Sequence, residues 1–158
     1  MPLKMDAQIQ LPLETYPPDP WQEGDDLFLR LDHVISRDKE GRALSYVRDF
    51  VWDWTFYTTH KKKSLLHFHY WVSQTDNNRA EIGPERIARM RELQFLMVLR
   101  IFFSKGRNYG YRSLTVFLWT LRRLARFAEE KNCSVRNVLE HEDLLGIYLD
   151  RSPDFDGY

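Results

Sequence analysis

Residues 111–131 read YRSLTVFLWTLRRLARFAEEK, and this stretch decides how the second half of the chain folds. At about 100° per residue, apolar side chains gather on one side of a helix and basic or polar side chains on the other. The apolar side consists of Leu114, Phe117, Leu118, Leu121, Leu124, Ala125 and Ala128. The opposite side consists of Arg112, Thr115, Trp119, Arg122, Arg123 and Arg126. The pattern predicts a helix that packs with one face and exposes a basic one, with Trp119 packed against the N-terminal half or stacked on a ligand.

A second helix is predicted upstream of this one. Pro84 suits a first helical turn, where its missing N–H has no helical partner, and Glu85 suits the positive end of the helix dipole. Apolar residues from 87 to 103 surround most of the circumference, so we expect a centrally buried helix that ends at about Phe103. SKGRNYG, residues 104–110, then forms a loop. The basic and aromatic side chains of this loop are Lys105, Arg107 and Tyr109.

Two shorter helices are predicted downstream. Ser134 can cap a helical turn over SVRNVL, and residues 141–149 place Leu144, Leu145, Tyr148 and Leu149 at helical spacing. The region 84–150 therefore reads as a bundle of about four helices. Residues 151–158, RSPDFDGY, read as the start of a linker.

The N-terminal half has the pattern of short strands. Residues 1–26 contain five prolines and read as an extended lead-in. Alternation over residues 27–35, the turn-forming residues 38–41 and the segment ALSYV predict a β-hairpin at the start of a β-containing region, 27–78. FVWDWTFY, residues 50–57, fits a strand and a helix equally well. The predicted fold class is mainly α, with a β-hairpin-containing N-terminal extension.

Composition excludes several classes of protein. The chain has 158 residues, of which 43% are hydrophobic and 15% aromatic, so it is neither disordered nor large enough for a big two-domain enzyme. Cys133 is the only cysteine, which excludes an internal disulfide and a cysteine zinc cluster. No apolar run approaches about 20 residues and no signal peptide is recognisable. We expect a cytoplasmic protein without a membrane partner.

The formal net charge of zero conceals a basic block. Residues 84–131 carry 11 basic and 4 acidic side chains, a net charge of +7, whereas residues 1–60 carry 6 and 11. Such a block attracts phosphate over about a Debye length, roughly 8 Å at physiological salt. The alternative is an ordinary solvated helix surface.

The chain carries no recognisable catalytic or cofactor motif, so we expect neither catalytic residues nor a cofactor. His67 and His69 alternate on one strand as metal ligands do, but no third ligand follows nearby, and we interpret them as polar-face residues. Glu129 and Glu130 are neighbours on a helix and therefore read as solvated charges rather than an acid–base pair.

Several segments together carry a family resemblance. They are VWDW at 51–54, the aromatic strand ending in LHF at 66–68, the long first helix, the loop into YRSLTVFLWTLRRLARFAEEKN, and CSVRNVLEHEDLLGIYL at 133–149. The last is the most telling, because it places a short capped helix before a helix ending in an apolar residue, Tyr and Leu. From Phe68 to Leu149 the chain resembles the N-terminal core-binding domain of tyrosine recombinases, the phage-integrase family of mobile elements.

The resemblance implies a SAM-like helical bundle that forms half of a clamp around DNA during integration and recombination. In that family a separate C-terminal domain cleaves the strands. The arginine, histidine and tyrosine signature of that domain is missing here, and Tyr158 has no HxxR segment before it. The implied partners are double-stranded DNA, the catalytic domain of a parent recombinase and neighbouring protomers on DNA. We predict DNA contacts from Lys105, Arg107, Tyr109, Arg112, Thr115, Arg122, Arg123 and Arg126.

A rival hypothesis belongs to a different class of function. The N-terminal half is acidic and aromatic, so it would suit a protein-interaction module in which exposed aromatic side chains bind another chain. The candidates for that role are Trp21, Trp52, Trp54 and Trp71.

Overall fold

The computed structural model describes residues 16–21, 30–58, 62–71, 82–103 and 110–151. Within these ranges four strands come first and four helices follow. The strands are β1 (Val34–Arg37), β2 (Ala43–Tyr46), β3 (Val51–Asp53) and β4 (Leu65–His67). The helices are α1 (Pro84–Phe102), α2 (Tyr111–Glu130), α3 (Val135–Glu140) and α4 (Glu142–Arg151). The prediction of a β-hairpin followed by about four helices is confirmed, and the fold is mixed.

Strands β1 and β2 form the predicted antiparallel hairpin. The Asp38 carboxylate closes its turn by accepting hydrogen bonds from the backbone N–H groups of Glu40 and Arg42, each at 2.9 Å. Gly41 has a φ of +82°, in the left-handed region where a side chain is strained. The turn chemistry read from the sequence therefore forms as expected.

The first strand begins later than predicted. Residues 30–33 form a turn in which the His33 N–H donates to the Arg30 carbonyl at 3.2 Å, so the strand starts at Val34 rather than Leu27. Residues 27–29 lie outside the described residues. Local hydrogen bonding therefore overrides the alternation of leucines that suggested a longer strand.

Part of the proline-rich lead-in packs against the hairpin. Residues 16–21 have no helix or strand, and residues 1–15 and 22–26 lie outside the described part of the chain. The Asp19 carboxylate accepts from the Arg37 guanidinium at 2.6 and 2.8 Å. Such a two-point ion pair fixes orientation as well as distance, so this segment is attached to β1.

The ambiguous aromatic segment splits into two short elements. Val51–Asp53 forms β3, which pairs antiparallel with β4 so that Trp52 lies opposite Leu66, and a 3₁₀ turn follows at Thr55–Tyr57. Trp52 and Trp54 are both fully buried. The alternating pattern therefore holds for only three residues before the chain turns.

Strands and helices share one hydrophobic core. Trp52 and Phe68 from the strand region join Met97 of α1 and Leu118 of α2 in a single cluster of buried side chains. The predicted packing side of α2 is confirmed, with Phe117 partly buried at its margin. No residue of α1 from Arg89 to Phe102 is exposed, as expected for a centrally buried helix, but its buried side includes two polar residues, and Phe103, just after its end, is 55% exposed. The two buried polar residues are Arg89 and Gln94.

Helix α3 is capped from two directions. Ser134 is its N-cap, as predicted, and its hydroxyl accepts from the Asn137 N–H at 3.0 Å. The Glu92 carboxylate of α1 accepts from the N–H groups of Val135 and Arg136 at 3.0 and 2.8 Å. These bonds satisfy first-turn donors that have no partner within the helix.

We expect Glu92→Ala to lower the free energy of unfolding by about 1 kcal/mol, the usual loss for a helix cap. Chemical denaturation followed by circular dichroism measures this change. Glu140→Ala is the control, because Glu140 forms an exposed ion pair with Arg136 and its loss should change stability by less than about 0.5 kcal/mol. Equal effects of the two substitutions would contradict the capping role.

No helix in the described part of the chain is long and apolar enough to cross a membrane.

Candidate nucleic-acid interface

The solvent-facing side of α2 carries one continuous stripe of mixed character. Its members are spaced three or four residues apart, which places them on one face of the helix. We call this face the outer stripe, and it consists of Arg112, Thr115, Val116, Trp119 and Arg123. Val116 is 59% exposed and Trp119 is 39% exposed, so apolar surface lies in the open between two arginines.

Trp119 is 39% exposed, and the expectation that it packs against the N-terminal half stays a prediction. The Arg123 guanidinium lies over the Trp119 ring, 4.9 Å from its centroid. A cation over an indole face is attracted by the ring quadrupole, and the contact orders both side chains. The arrangement leaves an aromatic surface and a positive charge together on the outer stripe.

The hydroxyl of Thr115 is used within the helix. Its Oγ1 donates to the Tyr111 carbonyl at 2.7 Å. In this conformation Thr115 offers an acceptor and no donor to the outside, so a phosphate oxygen gains nothing from it. Of the predicted contact residues on the outer stripe, the two arginines are the ones with suitable chemistry.

Arg122 and Arg126 follow Trp119 by three and seven residues, so they start on the same side of α2, but their side chains have different surroundings. The Arg126 Nε donates to the Tyr70 carbonyl, just beyond strand β4. Both side chains are half-buried, and burial followed by the positive charge of Arg126 lowers the pKa of Arg122. The basic surface that the sequence predicted as a single face is therefore divided into the outer stripe and an inner pair.

A groove with a volume of about 660 Å³ borders the outer stripe. It lies between the end of α1 and the first half of α2, and its lining comprises Arg100, Gly110, Arg112, Ser113, Val116, Phe117 and Thr120. The Arg100 side chain lies across this groove. Its Nη2 donates a hydrogen bond to the Ser113 hydroxyl at 3.4 Å, and its guanidinium lies 5.8 Å from the Phe117 ring centroid. The sequence analysis missed Arg100, because a lone arginine in an apolar helix gives no signal of what faces it.

The loop residues Lys105, Arg107 and Tyr109 lie outside the described residues. Helix α1 ends at Phe102, before these residues, and helix α2 begins at Tyr111, after them.

A partly buried ion network holds α2 against the strand region. The Glu129 carboxylate accepts from Arg86 Nε at 2.8 Å and from the Tyr70 hydroxyl at 3.0 Å, and Arg89 Nη1 lies 3.5 Å away. Arg89 Nε also donates to the Cys133 carbonyl at 2.9 Å. Burial alone would raise the pKa of Glu129, but hydrogen bonds from Arg86 and Tyr70 and the nearby positive charges hold it below its usual value.

The interpretation of Glu129 as a solvated charge is therefore wrong, although it holds for its neighbour. Glu130 is exposed and pairs with Arg151 at 2.8 Å. The two carboxylates point about 100° apart on the helix, so one reaches the core and the other reaches water. The partner that distinguishes them, Tyr70, is 59 residues away in sequence.

The histidine pair does not converge on a common site. His67 is exposed, whereas His69 is half-buried, with its ring against Phe50 and Trp71 at centroid distances of 6.0 and 5.1 Å. Among the residues that the structure describes, no group of three or more His, Cys, Asp or Glu side chains is placed to hold a metal ion.

The exposed aromatics of the rival hypothesis are mostly not exposed. Trp52 and Trp54 are fully buried, so that part of the hypothesis is wrong. Trp21 and Trp71 are partly buried against the core, and Trp21 packs on His33 with ring centroids 4.7 Å apart. Alternating aromatics in a short strand region supply the core here instead of a docking surface.

Comparison with protein-family models, with curated proteins and with solved structures finds no match to this chain. The function must therefore be inferred from the chemistry of its own residues.

Proposed function

We propose that the chain binds duplex DNA with the outer stripe of α2 and the adjoining groove, as the core-binding module of a tyrosine-type site-specific recombinase. The proposal includes a SAM-like arrangement of the four helices and strand cleavage by a separate C-terminal domain of the parent recombinase. No catalytic activity is expected from this chain alone, and neighbouring protomers on DNA are its further partners. The chief support is the outer stripe, where Arg112 and Arg123 flank an exposed tryptophan.

The dimensions of the outer stripe suit a DNA backbone. Arg112 and Arg123 are 11 residues apart, which is about 16 Å along a helix that rises 1.5 Å per residue. The duplex rises roughly 3.4 Å per base pair along its axis, so this length corresponds to about five base pairs measured along that axis. Guanidinium groups donate two parallel hydrogen bonds to phosphate oxygens, and Trp119 between them can pack on a sugar or a base. Most contacts would go to the backbone, so base readout is limited.

Arg112→Ala combined with Arg123→Ala should weaken binding to every duplex sequence alike and reduce its salt dependence. Each phosphate contact contributes about −0.9 to the slope of log K against log salt, so the double variant should flatten that slope by about 1.8. Fluorescence anisotropy with a mixed-sequence duplex, titrated at several salt concentrations, measures both quantities.

The matched control removes the same charge elsewhere. Arg42 and Arg136 are 75% and 79% exposed and belong to other elements than α2, and Arg42→Ala with Arg136→Ala should leave the slope unchanged. Equal losses in the two double variants would show a general charge effect and not a site. If the unsubstituted chain does not bind at low salt, the proposed function is wrong.

A further inference from the structure

The half-buried guanidinium of Arg122 has one nitrogen for which the described residues supply no partner. The Nε of Arg122 is buried, and no residue in the described part of the chain accepts a hydrogen bond from it. Leaving such a donor without an acceptor typically costs about 1–3 kcal/mol, and more when the group is charged. Proteins rarely retain this arrangement without a ligand or water that completes it.

Among the described residues, the charged groups that act on Arg122 are also positive. Arg126 is one helical turn further on and is held at the Tyr70 carbonyl, next to His69. The charge of Arg126 acts on Arg122. The charges of His67 and Arg122 act on His69. Burial first, and then these positive charges, lowers the pKa of His69, so its imidazole is neutral near pH 7.

The next acidic residue along the helix does not neutralise this cluster. Glu129 is engaged by Arg86 at 2.8 Å and by the Tyr70 hydroxyl at 3.0 Å. Phe50 and Trp71 pack on the His69 ring and exclude water from one side of it. Within the part of the chain that the structure describes, this cationic cluster has aromatic neighbours and no carboxylate paired with it, and such a cluster attracts an anion more strongly than a fully exposed one does.

We propose that Arg122, Arg126 and His69 form a binding site for a phosphate group, separate from the outer stripe. Arg122 supplies Nε and the terminal nitrogens as a planar fork for two phosphate oxygens. Arg126 adds positive charge one helical turn further on, where its Nε is held at the Tyr70 carbonyl. His69 donates one ring N–H. A backbone phosphate of DNA and a free phosphate share this chemistry.

The test is a titration of the full chain with inorganic phosphate, followed by NMR through the imidazole signals of His69. These signals should shift with saturation, while those of exposed His67 change little. Arg122→Gln should weaken phosphate binding by about 10- to 100-fold, as expected for one lost charge-assisted interaction. Arg42→Gln is the control, because Arg42 is 75% exposed in the β1–β2 turn and its loss should leave the titration unchanged.

A second readout separates a ligand site from a structural arginine. Arg122→Leu removes a buried donor that has no partner, so the melting temperature should stay the same or rise while phosphate binding is lost. A large fall in melting temperature would assign Arg122 a structural role and overturn the proposal. Unchanged His69 signals in wild type, or identical titrations of wild type and Arg122→Gln, would also overturn it.

Duplex DNA distinguishes the two sources of phosphate. If DNA shifts the His69 signals and phosphate competes with it, the site takes a backbone phosphate. If phosphate binds and DNA leaves the signals unchanged, the site takes a small phosphate compound. Phosphate binding by a chain that fails to bind DNA would keep this inference and refute the proposed function.

Discussion

Trp52→Ala is expected to lower the free energy of unfolding by about 3–5 kcal/mol, the usual range for an aromatic residue lost from a core. The Trp52 side chain is fully buried between the strand region and the helices, and its ring contacts Phe68 with centroids 4.5 Å apart. Its Nε1 also donates to the Val47 carbonyl at 3.3 Å, so the substitution leaves both a cavity and an acceptor without its partner. Urea denaturation followed by circular dichroism and fluorescence measures the loss.

The same substitution at Trp119 provides the control. Trp119 is 39% exposed on the outer stripe, so Trp119→Ala should cost less than about 1 kcal/mol. It should weaken DNA binding, because it removes the aromatic surface between the arginines. Equal destabilisation at the two positions would mean that the strand region and the helices do not share one core.

Glu129→Gln should cost about 2 kcal/mol at pH 7. The substitution keeps the shape of the side chain and removes the negative charge that Arg86 and Arg89 face, and Arg89 is buried. Breaking a fully buried pair typically costs about 3–5 kcal/mol, and the Glu129 side chain is 30% exposed, which reduces the expected loss.

The stability that Glu129→Gln loses should be largest near neutral pH and should decrease as the pH falls. The pKa of Glu129 is lower in the folded protein than in the unfolded chain, so its charge stabilises the fold above the unfolded value of about 4.3. That contribution disappears as the pH falls through the folded pKa, where the carboxyl becomes protonated and resembles glutamine. Wild type and Glu129→Gln should therefore differ fully near pH 7 and converge as the pH falls through the folded pKa of Glu129.

Glu130→Gln is the control for this experiment, because Glu130 pairs with Arg151 at the surface and should contribute less than about 1 kcal/mol. Denaturation curves of the three proteins at pH 7, 5 and 3 give the comparison. A difference between wild type and Glu129→Gln that stays constant from pH 7 to 3 would show that the ion pairs do not contribute.

Local patterns predicted the helices well and the strands less well. The apolar side of α2 and the Ser134 cap follow from spacing and from one side-chain type, and both are observed. The start of β1 was misplaced, because His33 is held by the turn at Arg30 and by the Asp19 carbonyl, 2.7 Å from its Nε2. A contact with a segment 14 residues away cannot be read from the alternation of leucines.

The candidate site shows the same division between local and distant information. Its arginines were identified from the sequence, but their separation into an outer stripe and an inner pair depends on Tyr70, which is 56 residues from Arg126. Arg100 and the role of Glu129 likewise depend on which residues of other elements face them. Periodicity gives the side of a helix on which a residue lies, and tertiary packing decides what that side meets.

The Glu92 cap on α3 has a consequence for the order of folding. α3 has six residues, too few to form a stable helix in isolation. Two of its first-turn N–H groups are satisfied only after α1, 43 and 44 residues upstream, has formed and docked. Because these contacts close a long loop, α3 should form later in the folding reaction than the long helices. Helix α4, which follows α3 in the chain, should pack only after α3 has formed.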